Sequence, residues 1–179
     1  QGSRRIRQLV LRNLLSFGPD TPALPLESLN VLIGPNGAGK SNLIEALALL
    51  RSAPVPAHTG ASNDLRGVVR RGGGAQEWVW KGGAHQPASL DAVLNYPKAK
   101  QGLRHVLAFN ADAQGLRLAD ERVENEEPYP GQSDVYFYYR YQNGHPVINT
   151  VTQEAGAVGM LRDAPRKTPP RKLAQDTVQ

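Results

Sequence analysis

Cysteine is absent from this 179-residue chain, which excludes a disulfide framework and any thiolate metal site. Also absent is any run of roughly 18 or more apolar residues, so no membrane-spanning helix is expected. The first residues lack the charged and then apolar pattern of a secretory leader, and a cytoplasmic location is the expectation. Histidine is scarce: His58, His85, His105 and His145 are scattered without ligand spacing and read as solvated or core side chains, not as a metal site. Aromatic residues amount to only 6%, yet hydrophobic residues as a whole reach 40%, enough for one globular domain with a sizeable core.

Glycine is plentiful by contrast, with 18 residues, three of which fall within one short stretch that carries chemistry. Residues 29–51 read LNVLIGPNGAGKSNLIEALALLR, in which Gly34, Gly39, Lys40 and Ser41 satisfy G-x-x-x-x-G-K-[ST] between an apolar segment and an amphipathic one. Glycines at 34, 37 and 39 admit backbone conformations closed to other residues, so successive N–H groups can converge on phosphate oxygens. A helix starting near Lys40 adds its unsatisfied N-terminal N–H groups and the positive end of its dipole. Asn36, Gly37, Ala38, Gly39, Lys40, Ser41 and Asn42 are therefore the expected nucleotide-binding residues. Lys40 is expected to reach the β- and γ-phosphates of ATP as the catalytic residue of this chain, and the Ser41 hydroxyl to ligate Mg²⁺.

Residues 5–12 alternate, with Ile6, Gln8 and Val10 against Arg7, Leu9 and Leu11, which predicts a strand, then a turn over residues 13–18 and a short strand over residues 23–26. Segment 29–33 is apolar on both faces, as expected of a central strand covered on both sides. In the following helix Leu43, Leu47 and Leu50 recur at i, i+4 and i+7 with Ile44 and Ala48 beside them, so a broad stripe is expected against the sheet. Pro54 and Pro56 end that helix by Ser52. Residues 53–75 read as a long loop with a short helix over residues 64–71. Beyond it the period changes to two: Trp78 and Trp80 share a face of residues 77–81, and residues 89–96, 103–110, 116–124 and 134–141 read as an antiparallel meander. Asn143-Gly144 offers a type I′ turn into residues 147–151. The aromatics of residues 136–141 read as cross-strand packing before a base-stacking platform. The acidic run DERVENEE at 120–127 is expected to be a solvated connection.

A formal charge of +5 and a pI near 9.7 are compatible with nucleic acid. The distribution tempers this. Arg4, Arg5 and Arg7 follow Gln1-Gly2-Ser3, which resembles a cleaved-tag remnant. Arg162, Arg166, Lys167, Arg171 and Lys172 are interleaved with Pro165, Pro169 and Pro170 and read as an irregular solvated segment, with phosphate-backbone contact as the lesser reading.

Some tempting motifs carry little weight. Leu118-Ala119-Asp120-Glu121 has the form of an element supplying a Mg²⁺-linked aspartate and a water-activating glutamate, but Arg117 breaks the apolar run and the residues alternate as in a hairpin arm. Gly72-Gly73-Gly74-Ala75-Gln76 lacks the serine of a signature loop. Asp64-Leu65-Arg66-Gly67 matches only the two fixed positions of a GTPase switch motif.

Arg12-Asn13-Leu14-Leu15-Ser16-Phe17-Gly18, followed by the phosphate loop and Asn42-Leu43-Ile44-Glu45-Ala46, resembles the N-terminus of RecF- and SMC-type ABC ATPases. Glu77-Trp78-Val79-Trp80-Lys81-Gly82 and Tyr136-Phe137-Tyr138-Tyr139-Arg140 more narrowly resemble bacterial predicted ATPases of the AAA/ABC class. The resemblance covers most of residues 4–151. It implies a mixed α/β fold: a P-loop NTPase lobe with a strand–P-loop–helix core over residues 4–53 and an antiparallel β-subdomain over residues 76–151. Residues 1–3 are then the tag remnant, and residues 152–179 an irregular basic segment leading to a C-terminal lobe. The resemblance also implies that backbone or side chains of the turn of residues 13–18, Asn13 among them, lie near the adenine or ribose. The glutamine loop, signature loop, Asp-Glu element and switch histidine of such heads are not found here, so the chain resembles the N-terminal lobe alone, expected to be inactive by itself. The implied partners are ATP with Mg²⁺, the protein's own C-terminal lobe, a second subunit in an ATP-dependent homodimer, and DNA. The implied role is ATP-driven head association in DNA repair or maintenance. Two other readings stand beside it. A self-contained P-loop kinase would show repeated βαβ units after the first helix. A noncatalytic nucleotide-binding module would be stabilised equally by ADP and ATP.

Overall fold

The computed structural model describes residues 5–55, 63–83, 86–95, 101–142, 144–149, 152–154 and 157–159. The alternating N-terminal segment forms β1 (Ile6–Arg12), with the short β2 (Leu24–Pro25) along its edge. Next come α1 (Lys40–Ser52), α2 (Leu65–Arg71) and the single turn α3 (Ala75–Trp78). The meander follows as β3 (Ala88–Leu94), β4 (Leu103–Asp112), β5 (Gly115–Asn125), β6 (Phe137–Gln142) and β7 (His145–Ile148). The strands make a seven-stranded sheet of order β2-β1-β3-β4-β5-β6-β7, antiparallel throughout, and β8 (Thr152–Glu154) pairs separately with β9 (Ala157–Gly159). The fold is mixed α/β.

Period two puts Leu9 and Leu11 of β1, Leu90 and Ala92 of β3, and Leu107 of β4 on one face, in register across the pairs Leu9–Ala92, Leu11–Leu90 and Leu90–Leu107. That face packs against Leu43, Ala46, Leu49 and Leu50 of α1 and against Leu65, Val68 and Val69 of α2 in one buried cluster. Between Ala108 and Phe109 the β4–β5 register shifts, leaving Ala119 with no residue opposite. This bulge brings Leu118 opposite Phe109 and into the core.

Local chemistry sets the helix ends. Asp64 caps α2, its Oδ1 accepting the Gly67 N–H at 2.7 Å, so the Asp-x-x-Gly pattern there is a helix start. After α2 the chain passes under the Trp78 indole, whose Nε1–H donates to the Val69 carbonyl at 3.1 Å. A Cβ on Gly72 would lie 2.5 Å from that nitrogen, so only glycine fits.

Several expectations are corrected. Residues 29–33 form no strand: Leu29, Val31 and Ile33 are 80%, 74% and 90% exposed. Apolarity on both faces requires covering layers, and the described residues supply none there. The buried stripe of α1 is rotated from the expected one, with Ile44 and Ala48 pointing outward and Leu47 only half-buried, because one side of the helix meets the sheet. Residues 77–81 are not a strand; Trp78 closes the turn α3 and is buried, while Trp80 is half-buried. The acidic run is not a solvated connection either. Residues 120–125 lie within β5, and Glu121 and Glu124 are buried beside cationic and phenolic partners from neighbouring strands. The basic cluster of residues 162–172, His58, His85 and Asn143 lie outside the described residues.

Candidate functional site

The chain enters the glycine-rich loop through a clasp in which the Glu27 N–H donates to Asn30 Oδ1 at 2.9 Å and Asn30 Nδ2 donates to the Glu27 carbonyl at 2.8 Å. Residues 34–38 are exposed, and the Ala38 N–H reaches the Pro35 carbonyl at 3.3 Å. Gly37 and Gly39 have φ of 85° and 84°, the left-handed region that strains side-chain-bearing residues. At Gly39 space is limiting as well, since a Cβ would lie 2.9 Å from Ser16 Oγ. The turn of residues 13–18 therefore abuts the loop.

α1 starts immediately after Gly39, with no side chain capping it and no acidic residue in its first turn. Its first internal bond runs from the Leu43 N–H to the Gly39 carbonyl at 3.1 Å, so the N–H groups of Lys40, Ser41 and Asn42 have no acceptor within the helix. α2, capped by Asp64, shows what the same chain does where a helix end is structural. Lys40 Nζ donates to the carbonyls of Gly34 and Pro35, both at 2.7 Å, and no carboxylate pairs with it among the described residues. Uncapped N–H groups, a dipole end and an ammonium held only by neutral carbonyls among the described residues give this exposed turn a net attraction for anions. The exposed Ser41 hydroxyl adds a hard oxygen of the kind Mg²⁺ prefers. The donor set fits a nucleotide phosphate with its metal.

Asn13 stands apart from this set. It is 6% exposed, donates from Nδ2 to the Pro87 carbonyl at 3.5 Å, and leaves Oδ1 buried without a partner. Asn13 and Leu15 both have positive φ, 52° and 53°. The turn is held in that conformation by paired bonds between Leu14 and Phe17 at 3.0 and 2.8 Å, by the Leu15 N–H on the Trp78 carbonyl at 2.8 Å, and by the Trp80 N–H on the Asn13 carbonyl at 2.9 Å. Ser16 is the residue of this turn that meets the loop. The family resemblance places the whole turn of residues 13–18 near the nucleotide, but a serine in a turn carries no spacing signal that singles out Ser16.

Asp120 and Glu121 are engaged within the sheet. Tyr139 donates its hydroxyl to Glu121 Oε2 at 3.1 Å, and His105 Nε2 stands 3.6 Å from Oε1, too far for a hydrogen bond. Burial, and then the neighbouring Glu121, push the Tyr139 hydroxyl well above the usual tyrosine range. Asp120 lies 3.0 Å from Arg122 Nε, off the N–H axis, and burial pushes its carboxyl up. On the same face as Asp120, away from the core, Asp91 accepts from Arg104 Nε at 3.0 Å and from its Nη2 at 2.5 Å. The 2% exposed Glu124 accepts from Arg140 at 2.8 Å, with Arg122 and Arg104 at 3.9 and 4.0 Å. The Arg140 guanidinium also covers the Phe137 ring at 4.5 Å. Hydrogen bonding to Asp91 raises Arg104 further into its charged range.

Compared with known proteins, residues 29–177 match the family described as "AAA domain, putative AbiEii toxin, Type IV TA system". A stretch of 84 residues, 47% of this chain, is 33% identical to the chromosome partition protein Smc of Cereibacter sphaeroides. That stretch is 6% of the Smc length, so the chain spans a small part of this relative. No solved structure matches. Among the described residues no helix is long and apolar enough to cross a membrane.

Proposed function

The chain belongs to this AAA-domain family of P-loop ATPases, and from that premise we propose that it is the N-terminal, ATP-binding lobe of a RecF- and SMC-like head. The observation that carries the reading is the uncapped start of α1 beneath Gly37 and Gly39, with Lys40 held only by backbone carbonyls. In this reading Asn36, Gly37, Ala38, Gly39, Lys40, Ser41 and Asn42 hold the phosphates, Lys40 is the catalytic residue, and Ser41 ligates Mg²⁺. Bound Mg²⁺ supplies neutralisation of charge on the phosphates. The residues of the chain bind and orient; Lys40 exchanges carbonyl partners for phosphate oxygens, and the turn of residues 13–18 fixes the loop from behind through Ser16.

Residues 4–53 form the nucleotide-binding part and residues 76–151 the β-subdomain of the lobe, with residues 152–179 leading toward a C-terminal lobe. Support for such a lobe comes from the exposed Leu29, Val31 and Ile33, which pair with no strand, and from the exposed Ile44 of α1. An apolar segment of that kind suits a strand awaiting further strands. The lobe supplies binding, and hydrolysis awaits the C-terminal lobe and a second subunit, whose ATP-driven association acts in DNA maintenance; the Smc similarity supports that last element. The antiparallel meander after α1, in place of repeated βαβ units, favours this reading over a self-contained kinase.

The test is Mg-ATP titration and single-turnover hydrolysis on this chain, with Lys40→Ala as control, repeated with the C-terminal lobe added. Binding weakened by roughly 10²-fold in Lys40→Ala, as loss of charged phosphate contacts implies, and hydrolysis only after the addition is the expected outcome. Equal binding by both forms, or turnover by the chain alone, overturns the assignment.

A further inference from the structure

Away from the glycine-rich loop, α2 and the β4–β5 hairpin enclose an open cleft of about 490 Å³. Leu65, Val69, Ala75 and Leu116 give it an apolar floor, and the exposed Arg66 and Arg70 line it from α2. At i and i+4 these arginines are neighbours on one helix face, where like charges repel. Nearby carboxylates do not relieve them: Asp64 caps the Gly67 N–H, and Asp112 lies 3.4 Å from Arg117. Neither Arg66 nor Arg70 has an acidic partner among the described residues. The cleft is thus suited to an apolar or aromatic side chain flanked by carboxylates.

That combination occurs on this chain at the other end of β5. Residues 127–134 are all exposed. Tyr129 projects from a turn closed by the Gln132 N–H on the Tyr129 carbonyl at 2.9 Å, its ring only tilted against Tyr136 at 6.4 Å. The carboxylates of Glu127 and Asp134 have no cationic partner among the described residues. β5 runs its 11 residues between cleft and loop, roughly 35 Å at the rise of a strand, so the loop does not reach its own cleft.

We propose that the cleft between α2 and the β4–β5 hairpin docks residues 127–134 of a second copy of this chain, with Tyr129 on the apolar floor and Glu127 and Asp134 facing Arg66 and Arg70. The contact is heterologous: each copy offers one cleft and one loop, so association runs head to tail. It is small, hence weak, and its charge pairs make it salt-sensitive. It does not depend on the nucleotide site.

The test is sedimentation equilibrium of the full chain without nucleotide. At low salt the average mass rises above the monomer with concentration, and about 0.5 M NaCl, where screening acts within a few ångström, suppresses the rise. R66E/R70E and E127R/D134R each weaken self-association by roughly tenfold or more, the scale of reversed charge pairs at an interface. Mixed together, the two variants regain association, because the wild-type loop of one meets the wild-type cleft of the other and the reversed cleft meets the reversed loop with opposite polarity. All four positions are exposed, and circular dichroism checks that each variant is folded. A wild-type chain that stays monomeric at every concentration, association unchanged in either double variant, or no recovery of association on mixing overturns the proposal.

Discussion

At the scale of single residues, burial decides what a polar group can do. Glu121 lies on the core face of β5, where the Tyr139 hydroxyl serves it directly and His105 stands just out of reach. Replacing Tyr139 by Phe removes that donor and leaves a buried carboxylate short of a partner, at a cost of about 1–3 kcal/mol in urea unfolding at pH 7. The pH dependence follows from the raised ionisation of Tyr139. The folded state binds this proton more tightly than the unfolded chain, so the contribution is complete below the ordinary tyrosine value of about 10 and is lost as pH rises toward the folded value. Wild-type stability is expected to fall above about pH 10, and less steeply in Tyr139→Phe. Equal slopes in the two proteins would place the phenol in solvent. Lys40 shows the opposite economy: its partners are its own loop carbonyls, which an incoming anion can replace.

At the scale of elements, the two longer helices end differently at their N-termini. α2 is closed by Asp64, whereas α1 is left open after Gly39. Asp64→Ala is expected to cost about 1 kcal/mol of stability, the usual value of a lost cap. Thermal unfolding reads that loss, and Mg-ATP titration of the same variant should give unchanged affinity. A matching fall in affinity would mean that α2 supports the loop. Both helix starts were legible in the sequence, because a cap or a glycine turn acts within a few residues. The strands of the meander were legible through period two. The bulge at Ala119 was not, because an unpaired residue is defined by the strand opposite and leaves only a break in alternation.

At the scale of the whole molecule, the described residues bury one face of the sheet under α1 and α2 and leave the apolar segment at Leu29, Val31 and Ile33 uncovered. L29S/V31T/I33S should leave stability to urea within about 0.5 kcal/mol, as for other surface changes, while abolishing association with a C-terminal lobe supplied in trans. A marked loss of stability would show that these residues are packed in the isolated chain.

By itself, the sequence determined the glycine-rich loop, the helix that follows it and the antiparallel strands, because spacing, backbone permissiveness and side-chain alternation act over a few residues. Tertiary structure alone decided that Ser16 abuts Gly39, that the acids of β5 engage Tyr139 and Arg140, and that residues 29–33 stand uncovered. Each of those outcomes depends on what a distant part of the chain brings, or fails to bring, against the residue.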